Sequence, residues 1–229
     1  DDPSVLETKK ARTEASDKEP SSKKLESAKE FMLHVFQHSD DQGSSFWQAL
    51  APEWKIDRDI AFAALTGSGG VGYGELPIEL QEDHDLLLSA LQKRGSVWLS
   101  LPTCLREDLR FAKAVSFDGS CDAEHLAREV FTQCGEARSD FGVWKAIIQA
   151  QWLQRRMFHL MDDFASDDVL RDELLMSSAC QVDINVIRIC RNDRPEFLME
   201  LLRNARVQLD GRRVTCIAAA CIAAHQMMS

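Results

Sequence analysis

Three aspartates frame this chain. Asp57, Asp83 and Asp108 stand 26 and 25 residues apart, and each opens an apolar, helix-forming run. The runs are Ile60-Ala61-Phe62-Ala63-Ala64-Leu65, Leu86-Leu87-Leu88-Ser89-Ala90-Leu91 and Phe111-Ala112-Lys113-Ala114-Val115. An aspartate placed there accepts hydrogen bonds from free backbone N–H groups and meets the positive end of the helix dipole. Pro52, Pro77 and Pro102 precede the three aspartates, and Gly70 with Gly95, Tyr73 with Trp98 and Leu76 with Leu101 each return after 25 residues. A unit this short holds two short helices, one from the aspartate to about the glycine and one over the aromatic and the Leu-Pro step. Neither can bury its apolar face alone, so neighbouring units must stack.

The expected fold is all-α: stacked short helical hairpins, an α-solenoid-like repeat, with a disordered N-terminal tail. Composition agrees, since Leu and Ala far outnumber Val, Ile and Thr, and Tyr occurs 1 time. Helices favour the first pair, sheets the others. The repeats are clear over about 45–116 and degenerate over 120–229. Lys29 to Phe36 is a degenerate earlier copy, Asp140 to Ile147 an echo, and Asp183 to Cys190 a weaker one. The helical repeat domain is expected over 28–229, closed by a helix from about Arg213 to Met228. Residues 1–27 form a charge-balanced stretch too poor in apolar residues to offset its ordering entropy.

The run Leu76-Pro77-Ile78-Glu79-Leu80, then Asp83 to Leu91, then Gly95 and Trp98, resembles the helical repeat catalogued as domain of unknown function 4116. The resemblance covers about residues 45–116. It implies an all-helical repeat and no activity, and no functional residue carries over from it. The glycines between Leu65 and Leu76, and Trp54 ahead of the first copy, depart from the pattern.

The net charge of −10 opposes a whole-surface grip on nucleic acid or an anionic membrane. The longest apolar run, Cys216 to Ala224, is far short of the roughly 20 residues that span a bilayer. The 7 cysteines include no C-x-x-C pair, which points to reduced thiols and an intracellular, cytoplasmic protein. Because the chain opens at Asp1, an upstream targeting segment or domain is left open.

No motif predicts a catalytic residue, a cofactor or a metal. Gly67, Gly69 and Gly72 spell G-x-G-x-x-G, but Leu76-Pro77 follows where a dinucleotide-binding helix should open. The glycines read instead as a linker. Asp162, Asp163, Asp167, Asp168, Asp172 and Glu173 lack the alternation and central glycine of an EF-hand, so Asp167 or Asp168 is expected to cap a helix. His34 with His38, Cys221 with His225, and Asp122 with His125 each offer only part of a structural metal shell.

Two features point to partners. Phe141, Trp144, Ile147, Ile148, Trp152, Arg155 and Arg156 make an amphipathic helical pattern whose tryptophans are either core or, where exposed, anchors for a partner. Residues 188–213 carry seven arginines against four acids, Arg203 and Arg206 among them. Guanidinium groups pair bidentately with carboxylate or phosphate. The expectation is a non-catalytic interaction or scaffold module binding another protein through Trp144, Trp152, Arg203 and Arg206. The alternative is an RNA- or anion-binding repeat using 188–213.

Overall fold

The computed structural model describes residues 22–38, 43–117, 122–150, 153, 156–190, 196, 197 and 199–201. All regular structure among the described residues is helical, which makes the protein all-α. The chain divides into two compact units, Asp1–Val71 and Gly72–Ser229.

The first unit holds α1 (Ser22–His38), α2 (Gly43–Ala49), α3 (Pro52–Lys55) and α4 (Arg58–Thr66). α1 opens inside the expected tail, because the good helix formers from Lys23 to Lys29 run unbroken into Phe31 and Met32 and propagate the helix. Asp57 caps α4, its Oδ1 accepting from the N–H groups of Asp59 and Ile60 at 3.0 and 3.2 Å. Lys29 reaches across from α1 to Asp57 and Asp59 at 2.9 and 2.7 Å. Phe36, Trp47, Ile60 and Leu65 fill the core beneath. The glycine-rich segment serves this packing: a Cβ on Gly67 would collide with the carbonyl oxygen of Phe36, and one on Gly43 would lie 2.6 Å from that of Gly69.

The second unit holds α5 (Ile78–Gln81), α6 (His84–Lys93), α7 (Thr103–Arg106), α8 (Leu109–Ala114), α9 (Ala123–Gln133), α10 (Phe141–Gln149), α11 (Met157–Phe164), α12 (Asp167–Arg171) and α13 (Glu173–Val182), with short 3-10 turns between. In chain order α6 packs on α8, α8 on α10 and α10 on α13. Alongside runs a second succession, in which the 3-10 turn Gly95–Ser100 packs on α9, α9 on α11, and α11 on the 3-10 turn Ile184–Ile189.

One rule builds the first succession. An aspartate caps each helix through its Oδ1: Asp83 to Leu86 N–H at 2.9 Å, Asp108 to Arg110 N–H at 2.8 Å, Asp140 to Val143 N–H at 3.0 Å, and Asp172 to Leu175 N–H at 2.7 Å. The third, fourth, seventh and eighth residues after the cap form the buried stripe. They are Leu86, Leu87, Ala90 and Leu91 on α6, Val143, Trp144, Ile147 and Ile148 on α10, and Leu175, Met176, Ala179 and Cys180 on α13. α8 is shorter and keeps Phe111 and Ala112, with Val115 just beyond its end. That spacing is one face of a 3.6-residue helix.

The structure corrects three local expectations. The Leu-Pro step is a break rather than part of a second helix: Leu76 and Leu101 both take ψ near 149°, as residues before proline do, and a four-residue helix starts after each proline. Ser166, not Asp167 or Asp168, caps α12, and Asp172 caps the helix that follows. The amphipathic run from Phe141 ends at Gln149, where Ala150 turns extended and lets Leu153 and Met157 enter the core. The helix expected over Arg213–Met228 lies outside the described residues.

Candidate interaction surface

Of the four residues expected to meet a partner, only Trp144 is described; Trp152, Arg203 and Arg206 lie outside the described residues. Trp144 is fully buried on α10, a core residue rather than a surface anchor. Its position four after Asp140 puts it on the inward stripe. Its ring stacks on Phe131 of α9 at 4.5 Å between centroids, and Phe131 stacks on Phe164 of α11 at 5.3 Å. Its indole N–H donates to the carbonyl oxygen of Arg138 at 2.9 Å.

That aromatic stack ends at the surface under arginines. Arg128 and Arg138 both place their guanidinium over the Phe164 ring, at 5.7 and 5.5 Å from its centroid. Arg138 also donates from Nε to the carbonyl oxygen of Phe131 at 2.9 Å. Arg128 is committed to Asp163 at 2.8 Å and Glu124 at 3.3 Å, and Arg156 reaches Glu124 at 3.3 Å. The hydrogen bond to Asp163 holds the Arg128 guanidinium more firmly charged than usual; burial opposes it, and Glu124 adds to it. Arg138 is exposed and has no carboxylate within ion-pair distance among the described residues. Arg188 repeats the motif over Phe158 at 5.6 Å. Of the arginines of 188–213, Arg188 alone is described.

Apolar groups are also exposed nearby in the fold. Phe141, at the first turn of α10, is 45% exposed, and Leu174, at the first turn of the adjoining α13, is 80% exposed. Neither position belongs to the inward stripe, so burying their large side chains requires another surface.

Burial, with Cys190 and Asp183 nearby, pushes the Cys180 thiol up to about 12, and burial also raises Cys134. Neither is a thiolate at neutral pH. Among the described residues no group of three or more His, Cys, Asp or Glu is placed to hold a metal. Two of the acids singled out in the sequence are spent locally: Asp163 pairs with Arg128 and Asp172 caps α13.

Sequence reading passed over Arg128 and Arg138. Arg128 carried a legible sign, an acid four residues earlier at Glu124, the spacing of a helical ion pair. Arg138 carried none, because its role depends on a turn placed between α9 and α10. No protein-family model, curated protein or solved structure matches the chain. No helix among the described residues is long and apolar enough to cross a membrane.

Proposed function

We propose that this chain is a non-catalytic, protein-binding scaffold built as a solenoid-like stack, a divergent relative of the repeat family it resembles. One observation carries the reading: Phe141 and Leu174 are exposed in the first turns of two adjoining capped helices whose inward stripes are already filled. Apolar side chains so presented gain free energy only when a partner covers them. The free thiols at Cys104, Cys134 and Cys180 support an intracellular, cytoplasmic setting.

The test uses the tagged full chain against extract from its own cells, with and without nuclease, beside a variant carrying Phe141→Ser and Leu174→Ser. The scaffold reading expects a captured protein that survives nuclease and is lost with the double variant. Arg138 favours the second reading, an RNA- or anion-binding surface, because it is exposed and pairs with no carboxylate among the described residues. That reading expects release by nuclease, steep salt dependence and indifference to the double variant.

A further inference from the structure

His34 and His38 lie one turn apart on α1, both exposed, with ring centroids 4.4 Å apart and planes tilted by 47°. Among the described residues neither imidazole hydrogen-bonds to or pairs with any group beyond the other ring. Their neighbour Lys29 is engaged elsewhere, with Asp57 and Asp59. We propose that the His34–His38 pair is a two-point chelate for a borderline transition-metal ion such as Ni²⁺, Cu²⁺ or Zn²⁺.

The dimensions favour it. A tetrahedral ion with nitrogens at about 2.0–2.1 Å holds two of them roughly 3.3 Å apart. Ring centroids 4.4 Å apart place the two imidazoles close enough to share one ion. Spacing of four on a helix supplies the shared face without loop closure, so the site is organised before metal arrives. Imidazole suits these ions, whereas Mg²⁺ and Ca²⁺ take oxygen ligands. Two nitrogens leave the remaining coordination positions to water or to a donor from another molecule. The site is therefore exchangeable, unlike the closed four-ligand shell of a structural zinc.

Titration of the full chain with Ni²⁺ tests this, read by paramagnetic broadening of the imidazole resonances and by the thermal midpoint. The expected result is selective broadening at His34 and His38, a midpoint that rises with metal, and a loss of affinity of about tenfold or more in both His34→Ala and His38→Ala. Both positions are exposed and both variants keep all 7 cysteines, so unfolding and thiol binding are separated from loss of the chelate. His125→Ala, an exposed histidine on α9, should change nothing. Unchanged affinity in the two variants, or broadening centred on other histidines or on cysteines, overturns the proposal.

Discussion

Residues 78–116 and residues 123–182 build the same unit by different means. In the first stretch the capping aspartates stand 25 apart, and the element beside α6 is the short 3-10 turn Gly95–Ser100. In the second they stand 32 apart, from Asp108 to Asp140 and again to Asp172, and the companions are the longer helices α9 and α11. The capped helices follow one rule in both: α6, α10 and α13 bury the third, fourth, seventh and eighth positions, and the shorter α8 the third and fourth, with Val115 at the seventh just beyond its end. What holds the architecture is therefore the local pairing of cap and stripe, while the connection varies in length. Physics permits this, because lengthening a connection costs little entropy whereas moving a stripe by one residue turns it away from the core.

The tryptophans sharpen the contrast. Trp98 and Trp144 are both fully buried, yet Trp144 donates to the Arg138 carbonyl while the indole N–H of Trp98 has no partner among the described residues. The regular stretch thus tolerates an unsatisfied donor that the irregular stretch has paired.

The comparison breaks most visibly if the two stretches unfold separately. Trp144→Ala should cost about 3–5 kcal/mol and Leu87→Ala about 2–5 kcal/mol, each lowering the midpoint of the same urea transition. Two transitions, each sensitive to one variant, would show that the stretches are independent. Cap removal comes next: Asp83→Ala and Asp172→Ala should each cost about 1 kcal/mol, with Asp168→Ala within about 0.5 kcal/mol because its exposed side chain caps nothing. Trp144→Phe should cost about 1 kcal/mol, since a buried hydrogen bond goes with the indole, and Trp98→Phe should be near neutral.

The smallest effect is a dependence on acid. In Asp57 and Asp140, burial acts to raise the carboxyl, but ion pairs with Lys29 and Lys113 and the capped N–H groups outweigh it and leave both below the ordinary aspartate value. Arg110 does the same for Asp108. A carboxyl lowered in the folded state adds stability above about pH 4 that disappears as pH falls through its folded value. Urea midpoints measured from pH 5 downward should decline in the native chain and decline less in Asp140→Asn.

The helical class and the capped units at Asp57, Asp83, Asp108 and Asp140 were legible because cap, stripe and spacing are local. The unit at Asp172 was not, since five other acids crowd it and its spacing matches 32 rather than 25. The proline breaks could have been read from Leu76-Pro77 and Leu101-Pro102 alone. Trp144 was visible as part of an apolar stripe, but its burial depends on Phe131, thirteen residues away on another helix. The arginine lids on Phe164 come from two separate elements, a juxtaposition no window of sequence displays.

The central claim is that α13 is a full member of the same stack as α6, built by the same rule. Amide hydrogen exchange reads this directly. The account predicts that the amides of Met176, Ala179 and Cys180 are protected to a similar degree as those of Leu87, Ala90 and Leu91. Exchange across α13 at the rate of an unstructured chain, with α6 still protected, would contradict it.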